Sequence, residues 1–185
     1  MSIVRSEQIR LLKNKTIVFS CLIFRSSHIL FIVKLRFRQP KKPHNHFFER
    51  IVMSANFEHL WLHSQHDGLK LGVVICTPKE KPPCGIIQFI HGMCEHKERY
   101  FHMCEYFAKH GYVSIIHDNR GHGESIKSAD DLGYFYENGF HGMINDVHQM
   151  SLLIKERYPN LPFFLFGFSM GSLKSEVISK DMTMN

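Results

Sequence analysis

The chain has 185 residues, 44% of them hydrophobic and 16 of them Phe, enough apolar mass for one packed domain and too much for a disordered chain. Its net charge of +6 is unevenly spread: residues 1–52 hold eleven Lys and Arg against two acids, a balance of +9, and residues 53–185 carry a balance of −3. The body is therefore mildly acidic, which argues against a nucleic-acid partner despite the basic overall charge.

Residues 1–52 read as a separate basic leader, and residues 53–185 as the folded domain. The leader holds an apolar run at 17–24, broken by Arg25-Ser26-Ser27-His28 before it resumes at 29–33. A membrane-spanning helix needs about 20 mostly apolar residues without a central charge. A signal peptide would offer a small-residue cleavage site, which Arg25 onward lacks. The leader is read as an extension upstream of a start at Met53, with a basic arm lying on a membrane surface as the alternative. The five cysteines (Cys21, Cys76, Cys84, Cys94, Cys104) are odd in number and match no disulfide or zinc framework, which points to a reducing, cytoplasmic compartment. The nearest metal-like cluster, His91, Cys94, His96 and Cys104, lacks the short repeated ligand spacing, so no metal is expected.

From Phe57 the pattern alternates strand and helix. Segments 58–63 and 69–77 are strand-like and joined by His66-Asp67-Gly68, a hairpin turn signal. Residues 78–83 are a proline-bearing loop, and 85–90 a short apolar run of the buried-strand type ending at His91-Gly92. Residues 97–110 have helical spacing, with Tyr100, Phe101, Cys104 and Phe107 on one face and Gly111 as the stop. A buried strand at 112–117 leads into the Gly-rich turn at 118–125. Residues 142–158 are amphipathic through Ile144, Val147, Ser151 and Ile154, and stop before Pro159. A third buried strand at 161–166 runs into Gly167-Phe168-Ser169-Met170-Gly171. Strands separated by helices predict an α/β domain with a mostly parallel sheet, helices on both faces and an antiparallel N-terminal hairpin.

A serine between two glycines where a buried strand turns into a helix is a specific signal. The turn is sharp enough that side chains two positions either way would collide, and Gly167 and Gly171 relieve that crowding. Ser169 is then lifted above the sheet as a nucleophile, with the Met170 amide at a helix N-terminus to stabilise a developing oxyanion. His91-Gly92-Met93 follows another buried strand, where the second oxyanion amide, the backbone N–H of Met93, is expected. In the turn from Asp118 to Ser125, Asp118, His122 and Ser125 are crowded within eight residues, so this segment is read as structural: Gly121 and Gly123 allow positive φ and Asp118 accepts from turn amides.

Taken together, His91-Gly92-Met93-Cys94-Glu95-His96, Arg99-Tyr100, the Asp118 to Ser125 turn, Tyr158-Pro159-Asn160-Leu161-Pro162 and Gly167-Phe168-Ser169-Met170-Gly171 resemble the monoacylglycerol lipase/lysophospholipase group. This is a branch of the α/β-hydrolase superfamily grouped with the serine aminopeptidase-like hydrolases. The resemblance covers about residues 57 to 172. Ser169 sets it apart from the haloalkane dehalogenases and epoxide hydrolases of the superfamily, which use an aspartate. It implies ester hydrolysis through an acyl-enzyme on Ser169, small-molecule lipid esters (monoacylglycerol or lysophospholipid) as substrates, and no metal or cofactor, while peripheral membrane contact is the alternative the basic leader leaves open.

The triad of this fold runs Ser, then Asp or Glu, then His along the chain. Residues 170–185 contain Glu176 and Asp181 but no histidine. The resemblance also implies a lid and about three further strands beyond this point. Without them, 161–166 is expected to be an open sheet edge and the hydroxyl of Ser169 a weak nucleophile, so the chain as written reads as close to inactive. The stretch 174–185 lacks the apolar face of a helix packing behind a nucleophile, and is read as the product of a frameshift near Leu173.

Overall fold

The computed structural model describes residues 17–21 and 55–183. The readings made for the rest of the leader lie outside the described residues. Among the described residues six strands form one sheet in the order β1-β6-β4-β5-β3-β2. They are β1 (Ile17–Cys21), β2 (Ala55–His63), β3 (Lys70–Pro78), β4 (Gly85–Ile90), β5 (Tyr112–His117) and β6 (Phe163–Phe168). The strands β1, β6, β4 and β5 are mutually parallel, while β3 runs antiparallel to β5 and pairs with β2 as the hairpin. The hairpin turns at Gly68, whose φ of +75 suits the residue without a Cβ.

Among the described residues three α-helices cover the sheet: α1 (Phe101–Lys109), α2 (Gly139–Arg157) and α3 (Met170–Thr183). Two apolar clusters show how they are layered. One gathers Cys104 and Ala108 of α1 against Val74, Phe89 and Ile116, and Phe101 and Phe107 pack on its rim. The other gathers Val147, Met150 and Ile154 of α2 and Ile178 of α3 against Val73, Ile86, Ile115 and Leu165. Because β4 and β5 are covered on both sides, every residue of β4 is buried, which explains its mainly apolar run; the one polar side chain, Gln88, donates to Val147 O and accepts from Ser151 Oγ. Each fully buried Ile, Val or Leu here contributes about 1.5–3 kcal/mol. Among the described residues no helix is long and apolar enough to cross a membrane.

Several expectations shift in detail. The helix expected over 97–110 opens with a 3-10 turn, Lys97–Tyr100, before α1 begins. The helix α2 starts three residues earlier than expected, at Gly139, and buries Met143 and Met150 beside Val147, leaving Ile144 partly exposed. The strand expected at 161–166 runs from Phe163 to Phe168, since Pro162 has no N–H to give a sheet. The strand β6 is not an open edge either: its outer side pairs with β1, Ile17 opposite Phe164 and Cys21 opposite Phe168. Finally, the helix that was not expected after Leu173 forms and runs to Thr183. Its inward face is polar, with Ser172, Lys174 and Ser175 buried alongside Ile178. The two hydroxyls are satisfied within the elbow and helix, Ser172 Oγ donating to Gly167 O (2.9 Å) and Ser175 Oγ to Gly171 O (2.8 Å).

Candidate active site at the strand β6 to helix α3 turn

Ser169 is the single residue between the end of β6 and the start of α3. It is exposed and sits at φ +52, a left-handed conformation that costs a non-glycine residue about 1–3 kcal/mol. The helix takes over at once, with the Ser172 amide donating to Ser169 O at 2.8 Å. The glycines two positions either side are dictated by space. A Cβ on Gly167 would collide with Gly171 O and Ser175 Oγ, and one on Gly171 would collide with Ile90 O. The elbow is thus wedged against the end of β4.

Register carries the second element to the same place. Ile90 lies opposite Gly167, so His91-Gly92-Met93 emerges beside the elbow. A Cβ on Gly92 would stand 3.2 Å from both the ring and the carbonyl oxygen of Phe168. The Gly92 amide donates to Glu95 Oε2 (2.9 Å), which also accepts from Tyr100 Oη (2.9 Å), while Arg99 Nε lies 3.3 Å from Glu95 Oε1. With the Gly92 donor committed to Glu95, Met93 is the next amide along the loop, and its side chain is exposed.

Beneath the loop lies a fully buried polar layer. His91 Nδ1 is 2.7 Å from Gly92 O, and the Asn119 amide donates to His91 Nε2 at 2.9 Å. Those partners require a neutral ring protonated on Nδ1, and burial pushes the His91 pKa down to about 3, in agreement. Asn119 Nδ2 also donates to His91 O (3.0 Å), and Lys174 Nζ donates to Asn119 Oδ1 (2.6 Å). Burial pushes Lys174 down to about 7.

The Gly-rich turn is structural, as its crowding predicted. Gly121 and Gly123 both have positive φ. Asp118 accepts from the amides of Lys97 (2.7 Å) and Glu124 (2.9 Å) and from Lys97 Nζ (2.6 Å), which also reaches Glu124 Oε2 (2.5 Å). Burial works against the Lys97 ammonium, but the two carboxylates outweigh it and raise its pKa. The buried Arg120 guanidinium grips Asp146 through Nε (2.9 Å) and Nη2 (3.1 Å) and holds Asp67 of the hairpin turn through Nη1 (2.8 Å). His122 stacks on Phe135 and directs Nδ1 at Arg120 O (3.0 Å).

A largely apolar cavity of about 560 Å³ opens beside the oxyanion-type loop, lined by Met93, Cys94 and His96 on one side and by His122, Leu132 and Phe135 on the other. Among the described residues no group of three or more His, Cys, Asp or Glu could hold a metal ion. Cys76, Cys84, Cys94 and Cys104 are free thiols. Sequence reasoning missed Glu95, Asn119 and Lys174. A lysine or asparagine in isolation carries no signal of burial, so nothing local could have found the last two.

These features meet a family pattern that spans residues 81–179, the serine aminopeptidase, S33, hydrolases. The chain belongs to that family. Curated relatives include a monoglyceride lipase homolog of Monkeypox virus, 33% identical over 102 residues, and a monoacylglycerol lipase of Mycolicibacterium smegmatis, 29% identical over 121. The alignments take in 54% and 65% of this chain but 34% and 40% of those proteins, so the chain spans well under half the length of these family members. Among solved structures, a highly thermostable carboxyl esterase from Bacillus coagulans, crystallised in complex with glycerol, matches with a TM-score of 0.59 at 36% identity, covering 64% of this chain and 38% of the esterase. The fold is that of the α/β-hydrolases, in part.

Proposed function

We propose that the chain carries the nucleophile half of a serine carboxylic-ester hydrolase of the monoacylglycerol lipase/lysophospholipase type. Ser169 attacks the ester carbonyl and forms an acyl-enzyme, expelling the alcohol. The backbone amides of Met93 and Met170 receive the oxyanion of the tetrahedral intermediate, a term worth about 3–4 kcal/mol per donor in such sites. The observation that carries this reading is the single-residue elbow: an exposed serine at φ +52, wedged by Gly167 and Gly171 against the end of the strand that delivers Gly92 and Met93. The apolar cavity beside Met93 suits a lipid ester, and the relatives named monoglyceride lipase favour the same class.

A second reading concerns the base. Residues 170–185 offer no histidine. Of the buried histidines, His91 is engaged with Gly92 O and Asn119 and His122 with Arg120 O, while His117 is fully buried with neither ring nitrogen hydrogen-bonded. On this reading the 185-residue chain binds and positions an ester but activates Ser169 only weakly, since losing a triad member lowers the rate by roughly 10⁴ or more. Fluorophosphonate labelling of Ser169, with and without added imidazole as a diffusible base, separates the two. Labelling in buffer alone supports the hydrolase reading for this chain. Labelling that depends on imidazole supports a site short of its base. Absence of labelling in both refutes Ser169 as a nucleophile.

A further inference from the structure

The loop that presents Gly92 and Met93 needs a fixed position relative to the elbow, because an oxyanion donor misplaced by about 1 Å loses most of its effect. Its outer side is held by Glu95, through the Gly92 amide. Its inner side is held by a single residue. Asn119 is 1% exposed and reaches His91 at three atoms: its backbone amide donates to Nε2 (2.9 Å), and its side-chain Nδ2 donates to the carbonyl oxygen (3.0 Å) and lies 3.0 Å from Nδ1. The first contact fixes the ring, whose other nitrogen lies 2.7 Å from Gly92 O. The second fixes the peptide that leads into Gly92.

A carboxamide can face either way, and something must decide which end meets the His91 carbonyl. Lys174 does so. It lies on the helix that begins at the elbow and donates from Nζ to Asn119 Oδ1 at 2.6 Å. As an ammonium Lys174 can only donate, and in that form it selects the orientation in which Oδ1 faces α3 and Nδ2 faces His91. The three residues come from three separate elements: the end of β4, the turn after β5 and the helix α3. We propose that Asn119 is the positioning residue of the oxyanion loop and that Lys174, on the nucleophile's own helix, sets its orientation, so that elbow and loop are held in register by one hydrogen-bonded chain. The inference rests on the reading that Met93 supplies an oxyanion amide.

The test is Asn119→Asp in the full chain. The carboxylate still accepts from Lys174, and the backbone donor to His91 Nε2 is unchanged, but the side-chain donor to His91 O becomes a repelling oxygen. Amide hydrogen exchange at Gly92, read by NMR, should accelerate about tenfold while amides of α3 keep their protection. Unchanged Gly92 exchange overturns the proposal. Lys174→Met gives an independent check should the first variant fold poorly: Gly92 exchange should again accelerate even though the methionine is the better buried side chain, and slower or equal exchange overturns the role of Lys174. Ser169 labelling then reports on function, with a rate about tenfold lower in Asn119→Asp. Faster Gly92 exchange in the variant combined with an unlabelled wild type would sustain the positioning role and refute the esterase reading.

Discussion

Lys174 is wholly buried beside His91 and His117, with Asp146 as the one carboxylate that counteracts burial. Its ammonium pKa falls from the ordinary 10.5 to about 7. The folded state therefore binds fewer protons than the unfolded state across this window, so the stability linked to Lys174 increases with pH between about 7 and 10.5 and is lost as pH falls. At about 1.36 kcal/mol per pH unit, the full penalty is roughly 5 kcal/mol at low pH, about 4 at pH 7 and about 2 at pH 9. Replacing Lys174 by Met removes the penalty but leaves the buried Asn119 Oδ1 without its donor, a loss of about 1–3 kcal/mol. The desolvation effect wins near neutrality: K174M should be more stable than wild type by about 1–3 kcal/mol at pH 7, and the advantage should vanish near pH 9. Urea unfolding followed by far-UV circular dichroism at both pH values measures this. A less stable K174M at pH 7, or an advantage that does not shrink with pH, would refute the reasoning, because it would mean the ammonium is solvated or paired where the packing has it buried.

Ser169→Gly should raise the thermal midpoint by relieving the left-handed conformation at φ +52, a gain of about 1 kcal/mol in a melting experiment, while removing the labelled group. Gly171→Ala places a methyl group against Ile90 O, so the elbow or the end of β4 must move, and denaturation should show a loss of about 2–4 kcal/mol. Burial holds the folded pKa of His91 near 3, so the unfolded chain takes up a proton that the folded one refuses. Stability should decline as pH falls below about 6.5 toward 3, a slope that calorimetry would find reduced in His91→Gln.

How far the sequence foretold this structure depends on whether the signal was local. The strands at 85–90 and 112–117 were legible to the residue because both are buried on two faces and read as short, mainly apolar runs, with Gln88, Ser114 and His117 as buried polar exceptions. The elbow was legible because its glycines answer a local steric demand, which the collisions at Gly167 and Gly171 bear out. The start of α2 was not, since Asn138 precedes it in a left-handed conformation with no side-chain cap, leaving no start signal to read. The start of α3 at Met170 was legible, but its continuation past Leu173 was missed because its inward face carries Ser172, Lys174 and Ser175, polar residues that only the tertiary packing buries. The Asn119 grip on His91 joins residues 28 positions apart and leaves no trace in either neighbourhood.

The most direct test of the account is to incubate the full chain with a fluorophosphonate in the presence of imidazole and map the adduct by mass spectrometry, with Ser169→Ala as the control. A single adduct on Ser169, absent from the control, is the predicted result. No adduct, or one on Ser172, Ser175 or another serine, would contradict the assignment of Ser169 as the nucleophile.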